Sequence, residues 1–469
     1  MPCARLPRHP PPRSSSSASN ACSVMANTRN SRSPADPAVR VASCLARHVR
    51  VGERLVAGLS GGVDSVALLH LLQAHAPSLG FRLSALHVHH GLSPHADAWL
   101  AHCRRLCDLL GVPLEVARVE VRRDAASGLE AAARQARYAA FGKAEADWIV
   151  LAHQRDDQAE TLLFNLLRGT GPSGAAAMPV ARPFPGRRDL HILRPLLDAP
   201  RSWIERYAEE HQLAWIEDES NRDERHARNH LRQSIMPQLR ERFPGCDAVL
   251  ARAAMHFAEA DALLSRLAEI DAATAIREGR IVVAELARLD EARARNVLRH
   301  ALKQAGVTMP DSARLQEALR QACGAAADRQ VSIDLGQCML HRHRGQLWLA
   351  PKHPLAVDTE WRGEAALDWA GTRMRFDRTR GAGICLARLE GKAIWIRPRQ
   401  GGERFQPDPK RPRRELRKLL QESGVPPWQR KAMPLLWCGE QLVWVPGLGV
   451  DVAWQCREGE PGLLPKWEG

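Results

Sequence analysis

The sequence of 469 residues contains 11 cysteines but no C-x-x-C pair, and it has no apolar run long enough to cross a membrane. These absences argue against a disulfide framework and a membrane-spanning helix, so we expect a reduced, cytoplasmic protein with no membrane partner. Cys103 and Cys107 lie four residues apart on a predicted helix. No His or Cys follows them at the spacing of a zinc site, so we expect two thiols in a core.

Acidic residues are missing from the start of the chain, where none precedes Asp36. This stretch is rich in Pro, Ser and Arg and lacks apolar periodicity, which predicts a disordered extension over residues 1–37. A transit peptide is also rich in Arg and Ser, but the weak amphipathic pattern favours a dispensable extension, with Met25 as an alternative start. Over the whole chain, 67 Lys and Arg against 53 Asp and Glu give a net charge of +14, which suits a polyanionic partner.

The remaining chain is long enough for two or three domains. Its first part alternates short apolar runs with helical patterns, which predicts an α/β domain with a doubly wound parallel sheet over residues 38–245. The apolar runs are Leu55–Ala57, Leu83–Val88, Leu114–Val119 and Trp148–Ala152. Long amphipathic helices then predict a mainly helical domain over residues 246–355, and short strands with a basic helix predict a small α+β domain over residues 356–469.

The segment Ser60–Ser65, with the sequence SGGVDS, stands between the first apolar run and a helical pattern. Its glycines let the backbone approach a ligand, and the first N–H groups of the following helix lack intrahelical partners, so the segment suits a phosphate. A Walker P-loop would need a Lys, which is absent, and a serine nucleophile elbow would need several strands before it. All six positions agree with the SGGxDS loop of the ATP pyrophosphatases, which this segment resembles. The candidate ATP-binding residues are Ser60, Gly61, Gly62, Val63, Asp64 and Ser65, and Asp64 is also the candidate metal ligand.

Two further polar clusters follow apolar runs and are expected on the same rim of the sheet, since ligands of such sheets bind beyond the carboxyl ends of the strands. We interpret His87–His90 as packed or solvated and assign no metal to it. His153 closes the fourth run, and Asp157 shares a helix face with Glu160 and Thr161. Asp157 either binds a metal or an incoming amine, or it only complements the helix dipole.

Arg134 and Arg137 lie on the predicted helix between these clusters, at helical spacing from Glu130 and Tyr138. Either arginine could bind a phosphate, or it could only pair with Glu130. The sequence leaves both alternatives open.

The order and approximate spacing of these motifs resemble the bacterial tRNA(Ile)-lysidine synthases. The resemblance extends from about Val39 to the C-terminus and is strongest in the first domain. It rests on SGGVDS, HVHHGL at 87–92, LEAAARQARYAAF at 129–141, HQRDDQAET at 153–161, RGTG at 168–171, RPLL at 194–197 and EDESNRDERHARNHLR at 217–232. The alternative is another tRNA-modifying enzyme with the same loop, such as a tRNA 2-thiolase, although that class typically carries C-x-x-C pairs.

The resemblance implies a reaction in two steps that uses ATP and Mg²⁺. ATP adenylates the C2 oxygen of the wobble cytidine in the isoleucine tRNA with a CAU anticodon, and the ε-amine of free lysine then displaces AMP to form lysidine. By the same resemblance, the loop holds the β- and γ-phosphates, and Asp64 holds Mg²⁺. Arg134 or Arg137 would stabilise charge on the α-phosphate, and Asp157 would orient the lysine ammonium.

The resemblance also supplies candidate contacts for catalysis and RNA. His153 is counted with the catalytic residues, although the base that deprotonates lysine is not identified. The residues of the first domain expected to bind tRNA are Arg194, Asn221, Arg228, Asn229 and Arg232. The sequence is compatible with a homodimer.

A dense positive tract between Arg397 and Lys418 marks the third predicted domain. We predict a basic helix from Arg413 to Glu422, with Arg413, Arg414, Arg417 and Lys418 as tRNA contacts. A charge run is usually only solvated, but the resemblance to an RNA-contacting domain favours tRNA. The segment 410–413, Lys-Arg-Pro-Arg, departs from the glycines that the family often has there.

Overall fold

The computed structural model describes residues 36–121, 129–217, 227–325, 329–352, 354 and 356–468. Asn221 and nearly all of the predicted extension lie outside these ranges. The first helix, α1 (Pro37–His48), begins where the side chain of Asp36 accepts a hydrogen bond from the Ala38 N–H at 2.8 Å. Proline is favoured at the first position of a helix, so Pro37 belongs to α1 and not to the extension.

The chain divides into two compact units between Asp261 and Ala262. The first unit contains a six-stranded sheet. Its strands are β1 (Arg54–Gly58), β2 (Arg82–His89), β3 (Leu114–Arg118), β4 (Trp148–Val150), β5 (Ala181–Phe184) and β6 (Arg187–Leu193). Its helices are α1, α2 (Val63–Leu79), α3 (Ala96–Leu110), α4 (Leu129–Phe141), α5 (Arg155–Leu167), α6 (Pro172–Ala175), α7 (Arg201–Glu210), α8 (Ala227–His230), α9 (Met236–Arg242) and the start of α10 (Cys246–Ala275), with a π-helical turn at Leu231–Ile235.

The strand order in this sheet is β3-β2-β1-β4-β6-β5. Every neighbouring pair is parallel except β5 and β6, which are antiparallel. The predicted doubly wound parallel sheet is therefore confirmed, and the antiparallel edge strand β5 is an element that the sequence pattern did not indicate.

Residues of β1 alternate between two hydrophobic clusters, which explains why this strand is apolar throughout. Leu55 and Ala57 belong to a cluster that includes Leu68 of α2, whereas Val56 belongs to a second cluster with Phe141 of α4. A strand that is buried on both faces cannot expose polar side chains on either. The helices therefore cover both faces of the sheet.

The chain reverses its direction of progress across the sheet at β1. This strand pairs with β2 on one side and with β4 on the other. In doubly wound sheets, the carboxyl ends of the strands at such a reversal open a crevice in which ligands bind. The fold thus places the loop after β1 beside the segment after β4.

The second unit begins with helices packed on a five-stranded sheet. The helices are α11 (Val283–Leu286), α12 (Glu291–Gln304) and α13 (Ser312–Gly324). The strands are β7 (Ile276–Arg277), β8 (Arg280–Val282), β9 (Val331–Asp334), β10 (Cys338–His343) and β11 (Gln346–Pro351), in the order β7-β8-β11-β10-β9. Side chains from α12, α13 and this sheet share one hydrophobic core.

The rest of the second unit is built mainly from antiparallel strands. They are β12 (Thr359–Trp361), β13 (Ala366–Trp369), β14 (Thr372–Arg380), β15 (Ile384–Cys385), β16 (Ile394–Arg397), β17 (Arg404–Phe405), β18 (Arg414–Glu415), β19 (Leu435–Cys438), β20 (Gln441–Val445), β21 (Gly449–Val450) and β22 (Pro461–Glu468). They form the sheets β12-β16-β19-β20-β21, β13-β14-β22-β15 and β17-β18, accompanied by α14 (Leu416–Glu422) and α15 (Pro427–Ala432). In the described part of the chain, no helix has the length and apolar character needed to cross a membrane.

The basic helix predicted from Arg413 begins three residues later, at Leu416. Arg414 is extended, because its backbone pairs with Phe405 in the short β17-β18 ladder. Phe405 and Leu416 are both fully buried in one cluster, so closing this ladder positions the start of the helix. The predicted N-terminal boundary is therefore wrong, while the helix itself is present.

Candidate active site at the carboxyl ends of β1 and β4

The hydroxyl of Ser65 holds the loop between β1 and α2 in shape. Its oxygen accepts hydrogen bonds from the backbone N–H groups of Ser60 and Gly61, each at 3.2 Å, and donates to the carbonyl of Gly62 at 2.9 Å. Ser60 Oγ lies 3.1 Å from Ser65 Oγ. Ser65, predicted as a ligand-binding donor, is thus engaged within the loop in this structure.

Gly61 occupies a position that only glycine can fill easily. Its φ is +92°, and a Cβ there would lie 3.1 Å from Ile216 Cδ1 and 3.3 Å from Cys103 Sγ. The Ile216 N–H also donates to the Gly61 carbonyl at 2.9 Å. The following helix α2 begins at Val63, and the residue before it, Gly62, has no side chain to cap the helix. The N–H groups of the first turn of α2 therefore form a site for an anion.

A buried histidine, His87, forms a hydrogen bond with Leu59, the residue that precedes the loop. Nδ1 of His87 lies 2.9 Å from the Leu59 carbonyl, which can only accept, so Nδ1 carries the proton. Burial lowers the pKa of His87 and raises that of the neighbouring Cys103 thiol to about 12. Cys103 and Cys107 both lie in the main core of the first unit. His87 is packed, as one of the two interpretations held.

Asp64 is the most perturbed carboxyl group of this rim. Burial and then the charge of Asp157 raise its pKa to about 7, against the opposing effect of Arg201 and Arg232. Among the described residues, its buried Oδ1 atom has no hydrogen-bond partner. A buried carboxylate oxygen without a donor, beside a second carboxylate, fits a divalent cation, because oxygen ligands of this kind suit Mg²⁺.

Asp157 and Glu160 on α5 share one arginine. Arg232 Nη2 donates to Asp157 Oδ1 at 2.6 Å and to Glu160 Oε2 at 2.7 Å, and its Nε donates to Glu160 Oε1 at 2.8 Å. The other Asp157 oxygen accepts from the Gln154 N–H at 3.1 Å and so caps the helix. Asp157 therefore both caps α5 and takes part in a charged network beside Asp64.

Arg228 and Arg232, which the sequence analysis predicts to bind tRNA, both contact side chains of α5. Arg228 Nη2 donates to Thr161 Oγ1 at 3.1 Å, next to the pairing of Arg232 with Glu160. Glu160 is only 2% exposed, so its pair with Arg232 belongs to the interior of the unit. Asn229 follows Arg228 on α8 and is partly exposed.

His153 is held by Arg194. Arg194 Nε donates to His153 Nδ1 at 3.2 Å and its Nη1 donates to the Pro179 carbonyl at 2.8 Å. Burial lowers the pKa of His153 far below its usual value, and the charge of Arg194 adds to this effect. Arg194 is 2% exposed, which favours a role in positioning His153 over a contact with an RNA phosphate.

A cluster of positive charge surrounds Tyr138 of α4. Arg134 Nη2 donates to the Tyr138 hydroxyl at 3.3 Å, and Arg182 Nη2 does so at 3.5 Å. Burial raises the pKa of Tyr138, but Arg134, Arg194 and Arg182 together lower it below its usual value. Arg137 belongs to the same helix, and its charge contributes to lowering the pKa of His90 to about 4, after burial.

Arg201 and Glu205 are site residues that the sequence interpretation missed. Arg201 Nε donates to Glu205 Oε1 at 2.8 Å, and both groups act on the charge of Asp64. They lie at the start of α7, shortly after β6 ends at Leu193. Position after a parallel strand was the available signal, since it is the rule that located His153 and Asp157.

The predicted C-terminal contacts belong to the second unit and differ in their environments. Arg413 Nη2 donates to Asp451 Oδ1 at 2.7 Å, and Arg414 pairs with Glu422 through contacts of 2.5 and 2.9 Å. Arg417 and Lys418 are exposed on α14. The second unit also contains a cleft of about 450 Å³, whose lining includes Arg404, Arg413, Trp437 and Trp454.

The fold and the SGGVDS loop define an ATP pyrophosphatase of the PP-loop class, and residues 37–239 match the profile of the PP-loop domain. Residues 282–348 match the TilS substrate binding domain, and residues 394–467 match the TilS substrate C-terminal domain. The chain is 44% identical over 428 residues to a tRNA(Ile)-lysidine synthase of Nitrosomonas europaea, covering 90% of this chain and 93% of that protein. The same enzyme name belongs to relatives from Aromatoleum aromaticum, 44% identical with coverages of 89% and 97%, and Ralstonia nicotianae, 41% identical with coverages of 91% and 98%. The chain belongs to the tRNA(Ile)-lysidine synthase family.

Proposed function

We propose that this protein ligates lysine to C2 of the wobble cytidine of the isoleucine tRNA with a CAU anticodon. The proposal rests on one observation in a chain that belongs to this family: two different binding sites lie at the same edge of the sheet, beyond the carboxyl ends of β1 and β4. One is an anion site at the start of α2, and the other is the carboxylate group of Asp64 and Asp157. ATP and an ammonium group need sites of these two kinds.

In the first step, the C2 oxygen of cytidine attacks the α-phosphorus of ATP and pyrophosphate leaves. The loop from Ser60 to Gly62 and the first turn of α2 would hold the β- and γ-phosphates. Asp64, with Asp157 beside it, would hold Mg²⁺, whose charge would offset that of the phosphates. Arg134 and Arg137 are our candidates for stabilising the charge that grows on the α-phosphate.

In the second step, the ε-amine of lysine attacks C2 and AMP leaves. We keep Asp157 as the candidate that orients the incoming ammonium. Its pairing with Arg232 and its contribution to the Asp64 pKa also support the alternative, in which Asp157 serves ATP and the metal. The two roles predict different losses when Asp157 is changed.

His153 acts as a hydrogen-bond donor in this proposal. Its Nδ1 accepts from Arg194, so in the neutral ring the proton lies on Nε2. A ring in this tautomer can donate to a phosphate or carbonyl oxygen but cannot accept a proton through Nε2. The deprotonation of lysine therefore requires another group.

The tRNA would be held by both units. Asn221 and Asn229 remain candidate contacts in the first unit, where Arg228 and Arg232 would act partly through α5. The exposed Arg417 and Lys418 are the strongest candidates in the second unit.

We retain the predicted domains 38–245, 246–355 and 356–469 as a working division, together with a homodimer as a hypothesis. We propose the cytoplasm as the location, because free lysine, ATP and tRNA are available there.

The deciding experiment supplies the full chain with ATP, Mg²⁺, radiolabelled lysine and a transcript of the isoleucine tRNA. The expected result is label in the RNA only when ATP is present, with release of AMP and pyrophosphate. A transcript with uridine at the wobble position and the methionine tRNA with the same anticodon are the matched controls, and both should stay unlabelled. AMP production that depends on a sulfur donor and leaves lysine free would instead indicate a tRNA thiolase.

A further inference from the structure

Three side chains that bind metals in other proteins meet in the C-terminal part of the second unit. They are Cys385 of β15, Cys456 in the segment before β22 and Glu460 in the turn that leads into β22. Their sulfur and oxygen atoms all lie within 4.8 Å of one another, and within the described residues this is the one such group of three found. The cysteines are far apart in sequence, so no spacing motif reveals the group.

Hydrogen bonds and strand pairing fix the positions of all three residues relative to one another. Cys385 pairs with Gly462 of β22, and the Cys456 N–H donates to the Gly383 carbonyl at 3.0 Å. The turn is closed by the Arg457 N–H, which donates to Glu460 Oε2 at 2.8 Å. The three ligand atoms are therefore brought together by strand pairing and a tight turn, and not by flexible side chains alone.

One side of the group is closed and another is open. A Cβ on Gly462 would lie 2.9 Å from Cys456 Sγ and 2.0 Å from the Ala382 carbonyl, so the backbone packs directly against the sulfur. Cys385 is 3% exposed, whereas Cys456 and Glu460 are partly exposed. An ion could enter from the exposed side and keep a water molecule there.

The contacts within the group match the chemistry of a metal site. The ligand atoms of Cys385, Cys456 and Glu460 lie within 4.8 Å of one another, and the Cys456 thiol donates to the Pro461 carbonyl at 3.4 Å. Around a tetrahedral Zn²⁺ with Zn–S bonds of about 2.3 Å, two sulfurs lie roughly 3.8 Å apart, so small side-chain rotations would complete the site. Two thiolates and a carboxylate carry three negative charges, which Zn²⁺ and the nearby Arg388 would neutralise.

We propose that Cys385, Cys456 and Glu460 bind one Zn²⁺ ion, with water as the fourth ligand. Thiolate sulfur selects a thiophilic ion of this type over Mg²⁺ or Ca²⁺. The ion would fasten the start of β22 to β15 and so stabilise the sheet β13-β14-β22-β15. This site does not depend on the proposed lysidine reaction.

The test uses the untagged full chain, reduced and freed of metal, in excess Mg²⁺ so that the acidic groups beside the PP-loop are occupied. Zn²⁺ is titrated in competition with a chromophoric chelator, and Co²⁺ is titrated in parallel to detect thiolate-to-cobalt absorption. We expect one equivalent of Zn²⁺, its loss in C385S and C456S, and weakening by at least about tenfold in E460Q. The matched control C323S, a partly buried cysteine of the same unit, should keep the full equivalent.

A measurement on the wild-type chain makes the test independent of whether the variants fold. Bound Zn²⁺ should slow alkylation of Cys456 and leave alkylation of Cys323 unchanged. Three outcomes would overturn the proposal: no thiolate–cobalt absorption, binding that persists in a folded C385S variant, or alkylation of Cys456 at the same rate with Zn²⁺. Formation of a Cys385–Cys456 disulfide by peroxide in a chain that binds no Zn²⁺ would also overturn it, and would identify a redox-active thiol pair.

Discussion

The two groups of arginines that the sequence marks as RNA contacts have different surroundings in the two units. In the first unit, Arg228 and Arg232 donate to side chains of α5, and one of the acceptors, Glu160, is 2% exposed. In the second unit, Arg417 and Lys418 are exposed on α14. Arg413, although it is close to them in sequence, pairs with Asp451, which is 1% exposed.

This difference separates charge that organises the fold from charge that can attract a polyanion. An arginine paired with a buried carboxylate cannot leave without stranding that carboxylate, which is costly. An exposed guanidinium or ammonium can exchange its counterions for RNA phosphates at little cost. Helical spacing alone cannot distinguish the two cases, because it does not reveal which face of the helix meets a carboxylate.

The strongest test of the paired charges in the first unit removes the carboxylate of Asp64, which lies in the phosphate loop. Asp64→Ala should lower pyrophosphate release by about 10³-fold, because Mg²⁺, which would offset the charge of the phosphates, would lose its ligand. Binding of tRNA, measured by filter retention, should stay nearly normal. Asp64→Asn, which keeps the shape and removes the charge, should be almost as inactive. Near-normal pyrophosphate release by either variant would place the metal elsewhere.

The buried pair itself can be broken with Glu160→Gln. Loss of the charge opposite Arg232 should cost about 3 kcal/mol of local stability, as is typical when one partner of a buried pair is removed. Hydrogen exchange across α5 measures this change in the first unit alone. Glu317→Gln, which breaks the exposed pair with Arg320 on α13, is the control, and hydrogen exchange across α13 should not change measurably. If both variants increased hydrogen exchange equally, each across its own helix, the pair of Arg232 with Glu160 would be no more important than a surface pair.

Asp157→Asn sharpens the distinction between the roles of this residue. If Asp157 orients lysine, the lysine concentration required should rise by about 10- to 100-fold, since a charged hydrogen bond is worth about 1.5–3 kcal/mol. Pyrophosphate release should be largely retained, and the ratio of lysidine to pyrophosphate reports the split. A parallel loss of both products would favour the role at ATP and the metal.

Removing the exposed charges of α14 should have the smallest effects. These effects should be on tRNA binding and should depend on salt. Replacing Arg417 and Lys418 with Ala should weaken tRNA binding and reduce its salt slope by about two units, one for each RNA phosphate that is no longer neutralised. Arg413→Ala should destabilise the second unit and leave the slope almost unchanged, because its charge already pairs with Asp451. Arg378 and Arg380, exposed on β14, provide a control pair with the same loss of charge. An unchanged slope in the Arg417/Lys418 variant would mean that α14 presents only a solvated face.

The parts of the site predicted from the sequence are those formed by contiguous chain. A strand, a glycine-containing loop and a helix must follow one another in SGGVDS, so local geometry alone places Asp64 in the first turn of α2. The rule for parallel sheets added His153 and Asp157, because it needs only the ends of the strands. The missed residues, Arg201 and Glu205, reach Asp64 from a helix that the chain places there only after two more strands.

The sequence by itself determined the family, the doubly wound sheet and the phosphate loop, because these depend on local periodicity and on short motifs. Tertiary structure decided which charges are partnered. It turned Arg232 toward Glu160, buried Arg194 against His153 and started the basic helix at Leu416 instead of Arg413. The physical reason is that a charged side chain takes its role from the nearest opposite charge and from its exposure to water, and both are set by residues distant in sequence.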